Sequence, residues 1–476
     1  VRSEWIAPFF GPRLTACLAE IKAWLDPRGL MNPGKIVDPP RMDDRSLFRF
    51  KPGYAASPPP AALDWSEWGG FDKAVEMCNN NGHCRKFDAG TMCPSYRVTL
   101  DEAHLTRGRA NTLRLALSNQ LGTEADEAVK AALDLCVSCK GCKRECPTGV
   151  DMARMKIEYL AHYKAKHGHS LRDRAIAYLP RYAPWAGRFA SLANAIASLG
   201  KSFLGFSRSR DLPAWRGDYF EDRAREAHGN GREVVLFVDT FNRWFEPENV
   251  RAAVRVLEAA GCSVQTARPL TAGRPLCCGR TFLTAGMVDE ARTEARRTLD
   301  ALRPYLDRGT PVIGLEPSCL FSFRDEYAVL FKDEPTESLS ANTFLLEEYL
   351  AREPGKLRLK EMKQEVLLHG HCHQKAFDAM PAVEKVLRMV PGLTVSTVQT
   401  SCCGMAGSFG YEAEHHGVSM KMAEMALLPR IRETPGALLV ADGTSCRHQI
   451  ADGSGREALH VVRVLDAALS SPPAAP

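Results

Sequence analysis

The chain has no run of about 18 consecutive apolar residues, the length a membrane-spanning helix needs. Its first residues, Val1 to Trp5, hold no basic stretch leading into a long apolar run, so no secretory leader is read there. Blocks of like charge are also missing. Acids and bases alternate, as between Arg292 and Arg297, and a net charge of +5 over 476 residues is too weak to argue for nucleic acid. What the chain has in excess is cysteine, sixteen in all, and nearly all of them stand in tight groups. Clustered cysteines without a secretory signal point to metal or redox chemistry in a reducing, cytoplasmic compartment.

One group carries the sharpest spacing. Cys136, Cys139, Cys142 and Cys146, followed by Pro147, stand as C-x2-C-x2-C-x3-C-P. That is the bacterial ferredoxin run, in which three thiolates converge on one cubane and the last cysteine serves a second site. An earlier group is degenerate. Cys78 and Cys84 keep the outer positions, Asn81 stands where a middle cysteine would be, and Cys93-Pro94 matches the end of the run. By the exchange rule of two-cluster ferredoxins, Cys93 with Cys136, Cys139 and Cys142 makes one complete four-thiolate site for a 4Fe-4S cluster. Cys78, Cys84 and Cys146 make an incomplete one, suited to a three-iron cluster, a cubane with a non-cysteine ligand, or nothing.

Residues 232–466 contain an internal repeat of strands alternating with helices, which argues for parallel α/β units. The second copy carries Cys372, Cys402, Cys403 and Cys446, with His369, His371 and His373 nearby. Four thiolates on loops after strands suit zinc or an unusual iron–sulfur cluster. The first copy has Cys277, Cys278 and Cys319, with Asp239 as a weak substitute for the opening cysteine. Cys17 and Cys262 stand alone on apolar faces and are expected to be small core residues. The segment from Gly404 to Gly410 lacks the lysine of a phosphate loop and is expected to pack backbone closely around the Cys402-Cys403 pair. Helices are expected over 171–228, broken at Pro180, Pro184 and Pro213. The amphipathic stretch from Phe189 to Phe206 is expected to pack on a neighbouring domain, with a membrane surface as the alternative.

The run from Cys136 to Pro147 and the two Cys-Cys-Gly repeats together resemble the iron–sulfur subunits of glycolate oxidase and of anaerobic glycerol-3-phosphate dehydrogenase. The repeats also look like the cysteine-rich repeats of heterodisulfide reductase. Glu4 to Gly11, Asp26-Pro27 with Asn32 to Ile36, Met92 to Tyr96 and Arg107 to Asn111 extend the likeness. They point to bacterial fused FAD and iron–sulfur D-2-hydroxy-acid dehydrogenases, of the D-lactate and D-2-hydroxyglutarate kind. The resemblance implies a multidomain α plus α/β protein, in which a helical ferredoxin-type domain precedes two repeated cysteine-rich domains. Residues 1–55 would be the tail of an FAD-linked oxidase cap, 66–170 the 4Fe-4S domain and 171–228 a helical linker. Residues 232–345 and 364–468 would be the two cysteine-rich domains. It implies an oxidoreductase component that passes electrons from flavin to a quinone or other acceptor. FAD is expected in a missing N-terminal part or a partner chain. An oligomer and peripheral contact with the inner face of the membrane are also implied. The competing expectations are a zinc-bound scaffold and a thiol/disulfide reductase module.

Overall fold

The computed structural model describes residues 3–88, 90–222, 231–331 and 336–470. The linker boundary expected at 228 lies outside them. Contacts divide the chain into two units, Val1–Ser57 and Pro58–Pro476. In the first unit a helix runs over Ile6–Leu25, kinked where Gly11 takes a φ of 76°. It stops at Asp26, whose carboxylate accepts hydrogen bonds from the N–H groups of Leu30 and Met31. No residue of this helix is buried. Cys17 is exposed, against the expectation of a core residue, because the described residues leave the apolar face of the helix uncovered.

In the second unit, short helices hold the two ferredoxin-type cysteine groups. Pro180 sits in the first turn of helix Leu179–Arg188, where its missing N–H costs nothing. A break does stand just before Pro180, between helix Leu171–Ala177 and this one, and Pro213 lies outside helical structure, whereas Pro184 lies inside the helix without ending it. Helix Ala190–Gly200 follows. Its apolar stripe is not covered by the described residues: Leu192, Ile196 and Leu199 are exposed, as are Phe189 before it and Phe203 after it. Only the Ala193 side of the helix packs inward, in a cluster with Trp215, Trp244 and Phe245. Within the described residues the expected packing on a neighbour is met only at the end of the stretch, where Phe206 is buried in a cluster with second-repeat residues such as Leu367 and Phe409.

Both repeats are parallel sheets. The first holds β1 (Arg232–Leu236), β2 (Cys262–Thr266), β3 (Val312–Gly314) and β4 (Thr343–Leu345) in the order β2-β1-β3-β4. The second holds β5 (Gln364–Leu368), β6 (Leu393–Thr397) and β7 (Leu438–Val440) in the order β6-β5-β7. Register places Val234 beside Val264 and Val366 beside Val395. Apolar residues of both copies, including Leu236, Val366, Val440 and Leu465, share one core, so the repeats are packed as a pair. In parallel α/β sheets, functional groups gather in loops beyond the carboxyl ends of the strands. The cysteines follow that rule: Cys277-Cys278 come after β2, Cys319 after β3, Cys372 after β5, Cys402-Cys403 after β6 and Cys446 after β7.

Candidate metal centres

Cys93 caps helix Pro94–Thr99, Cys136 follows helix Ala125–Asp134, and Cys142 lies in helix Gly141–Glu145. With Cys139 they line one cavity of about 20 Å³ and all four are buried. Ser138 and Lys140 take left-handed conformations (φ 49° and 58°), which coil the chain between the thiols. A Cβ at Gly141 would stand 2.9 Å from the backbone nitrogen of Met92, so only glycine allows that approach. The Met152 N–H donates to Cys142 Sγ at 3.4 Å, and Thr106 Oγ1 lies 3.0 Å from Cys93 Sγ. Arg109 is buried beside them, held by the Ala132 carbonyl and Ser95. Burial pushes the thiols of Cys93, Cys139 and Cys142 up. They stay neutral until a soft cation displaces their protons. Four soft sulfur donors, a backbone N–H aimed at sulfur and a glycine cradle are what a cluster requires.

The incomplete group behaves differently. Cys78 and Cys84 are buried and Cys146 is half-buried. Burial raises Cys84 to about 11. Asn81 is exposed, donating from Nδ2 to Asn79 Oδ1 at 2.6 Å and accepting from the His83 N–H at 2.8 Å. Its side chain closes a surface turn.

In the second repeat Cys372 begins helix Cys372–Ala376 and its sulfur takes a hydrogen bond from Cys402. Cys403 is hydrogen-bonded to Cys402, Cys446 and His369. Ligand atoms of His369, Cys403 and Cys446 lie within 4.8 Å of one another. The Gly404 N–H donates to Cys402 Sγ at 3.4 Å. A Cβ on Gly404 would lie 2.3 Å from the Ser419 carbonyl, which matches the close packing expected of this loop. The Cys402 bond, then His371 and Lys375, hold Cys372 down at about 6. Bonds from Cys402 and Cys446 lower Cys403 well below the usual thiol range, while those bonds push Cys402 and Cys446 well up. Lys375, half-buried, donates to the carbonyls of Thr400 and Ser401. His371 instead caps the helix, accepting from the His373 N–H at 3.1 Å.

The first repeat differs at its opening position. Asp239 is the N-cap of helix Thr240–Trp244 as His371 is of helix Cys372–Ala376, and Phe237 and His369 make matching strand hydrogen bonds. The residue equivalent to Cys372 is therefore Thr240, which bonds Cys277, and not Asp239. Asp239 instead spends its carboxylate on the N–H groups of Phe241 and Asn242. Cys277, raised by its bond to Cys278 and by burial, and Cys278 are both pushed well up. Cys319 stands at about 12: its bond with Cys278 lowers it, but burial and nearby carboxylates outweigh that bond. No lysine or histidine equivalent to Lys375 and His369 serves this group, since Arg243 and Phe237 stand in those places. Cys262 is buried, 3.6 Å from the Tyr349 hydroxyl.

The complete ferredoxin-type group and the second repeat meet directly. His373 Nε2 lies 3.1 Å from the Ser138 carbonyl, and Cys139 and Cys372 are close enough to repel as thiolates. Lys140 is buried between Asp325 and Glu326 of the first repeat, 2.7 Å from the latter. Spacing in the sequence had no means of finding Lys156 or Arg109, which reach these groups from other segments, nor Asp325, the partner of Lys140 185 residues away. Lys375 had a local signal, three residues after Cys372 on a helix.

Three protein families match the chain. Residues 74–150 match the 4Fe-4S dicluster domain, residues 1–36 the C-terminal domain of FAD linked oxidases, and residues 238–324 and 366–451 the cysteine-rich domain. D-2-hydroxyglutarate dehydrogenase of Escherichia coli strain K12 is 26% identical, over 98% of this chain and 50% of that protein. The glycolate oxidase iron-sulfur subunit of the same strain is 25% identical over 84% of this chain and 95% of its own length. One component of that strain's anaerobic glycerol-3-phosphate dehydrogenase is 27% identical over 63% of this chain and 78% of its own. The chain spans about half the length of the D-2-hydroxyglutarate dehydrogenases it matches. In their order along the chain, these matches fit a fused FAD/iron–sulfur dehydrogenase.

Proposed function

We propose that this chain is the electron-transfer part of an FAD-linked D-2-hydroxy-acid dehydrogenase. Cys93, Cys136, Cys139 and Cys142 hold its 4Fe-4S cluster. The observation that carries this is the convergence of four buried thiols, from two segments separated by more than forty residues, on one cavity. A bound cluster supplies one-electron carriage, and the hydride chemistry belongs to the flavin. The chain's own residues set the conditions. Gly141 lets the backbone approach, the Met152 N–H donates to sulfur, and Arg109 offsets thiolate charge. Electrons leave through the thiol group of the second repeat, which lies against the first site, towards a quinone or another acceptor. The FAD domain is supplied by the rest of the protein or by a partner chain. Residues 66–170 and the two segments 232–345 and 364–468 are the working domains of this scheme.

Iron and acid-labile sulfide, measured on protein purified without oxygen, test the proposal together with EPR after dithionite reduction. About four of each, with one reduced-cubane signal that Cys139→Ser abolishes, is the expected result. Zinc with no labile sulfide would overturn it and leave a metal-bound scaffold.

A further inference from the structure

A cavity of about 1110 Å³ lies between the ferredoxin-type helices, the helical segment around 175–213 and the second repeat. Its wall includes Cys136 and Ser138 on one side and His371, Cys372 and His373 on another, so it borders both thiol groups. The lining is mainly apolar. Trp185 and Ile196 on its wall are 50% and 54% exposed, whereas Cys372 and Tyr411 are buried. The space therefore runs from the surface at helices Leu179–Arg188 and Ala190–Gly200 inward to the thiols. The uncovered Leu192 and Leu199 belong to the second of these helices, and Phe189 joins the two.

The charged groups on this wall are already satisfied by the protein. Arg172 is paired with Glu414, His415 lies between Asp134 and Glu412, and Arg280 is paired with Glu326. Lys156 donates to the Cys136 carbonyl, and Glu316 accepts the N–H of Thr444. A charged ligand would find no unpaired counter-ion among these groups. At the buried end the Tyr411 hydroxyl and His448 Nδ1 are hydrogen-bonded to each other. That end offers hydrogen-bonding groups beside a long apolar passage.

We infer that this cavity binds a neutral, lipophilic acceptor of the quinone class. Its carbonyl end lies towards Tyr411 and His448, and its apolar tail passes between the two surface helices. The inference rests on the electron-transfer reading above and deepens it by giving the acceptor a place. The reaction balances: a 2-hydroxy acid gives up two electrons and two protons to become a 2-oxo acid, and the quinone takes two of each to become the quinol.

Equilibrium dialysis of a decyl-substituted benzoquinone against the cluster-bearing protein tests this without electron flow. Saturable binding is expected. Ala197→Trp, which fills the passage, and His448→Phe, at the buried end, are each expected to raise Kd at least tenfold. Leu199→Ser, outside the cavity, leaves Kd unchanged. Iron, sulfide and the EPR signal are measured on the same samples. If these are intact and the wild type fails to bind, or if neither cavity variant alters Kd, the inference fails and the electron-transfer reading stands. Absence of iron and sulfide from the wild type overturns both.

Discussion

Thr240 and Cys372 occupy one place in two copies of the same fold, and the difference between a hydroxyl and a thiol separates the two sites. Thr240→Cys gives the first repeat a fourth thiol beside Cys277. About one additional equivalent of tightly held Zn²⁺ per chain is then expected, read by metal analysis after dialysis. An unchanged zinc content would mean that Cys277, Cys278 and Cys319 do not converge with position 240. His415 is a second residue with a measurable signature. Burial alone would lower its pKa, but bonds to Asp134 at 2.8 Å and Glu412 at 2.8 Å outweigh burial and raise it to about 9. An unfolded histidine titrates near 6.5. The stabilisation is therefore whole below about 6.5 and is lost as pH rises through about 9. Denaturant midpoints between pH 6 and 10 are expected to fall more in the wild type than in His415→Gln. The difference is on the order of 2 kcal/mol after solvent screening. Parallel pH profiles for the two proteins would contradict this.

At the scale of the element, the strands and the long helices follow from apolar periodicity. The strands at 232–236 and 364–368 each bury their last three residues, and helix Val288–Leu306 buries a stripe that includes Ala291, Ala295 and Leu302. Two elements departed from what local pattern predicts. Helix Leu179–Arg188 continues through Pro184, and helix Ala190–Gly200 leaves its apolar stripe in the open. Amphipathicity tells that a face wants cover, but the cover comes from tertiary packing. Because Leu199 is 86% and Phe203 83% exposed, the double change Leu199→Ser with Phe203→Ser is expected to move the unfolding free energy by no more than about 0.5 kcal/mol. It should also shorten retention on a hydrophobic-interaction column. A loss of stability well beyond that figure would show that the stripe is packed in solution.

The whole molecule holds its thiol groups together through buried charge as well as apolar contact. Lys140 lies between Cys139 and Gly141 in sequence and between Asp325 and Glu326 in space. Burial alone would lower its pKa, but the two carboxylates raise it. Lys140→Met leaves the buried carboxylates with Lys143 and Arg280 only, and about 3–5 kcal/mol of stability is expected to go with it. Urea unfolding with iron release followed in parallel checks this. Unaltered midpoints would mean that the docking of ferredoxin-type region and repeat rests on apolar packing. Much of the architecture was legible beforehand: the C-x2-C-x2-C-x3-C spacing, the repeat and its strand order of appearance all lie within short stretches of chain. Thr240, Lys140 and Arg109 were not legible. Their roles depend on which backbone positions are equivalent, and on partners up to 185 residues away.

The sequence by itself determined which residues can bind soft metals and that two parallel α/β units follow a helical cysteine-rich region, because ligand spacing and apolar periodicity are local properties. Tertiary structure alone decided that the thiols of Cys372 and Cys403 are lowered while those of Cys277, Cys278 and Cys319 are raised, and that an apolar passage borders both the ferredoxin-type and the second-repeat thiols. Those outcomes depend on burial and on the approach of distant segments, since the cost of desolvating a thiolate and the benefit of a neighbouring cation exist only after the chain has packed.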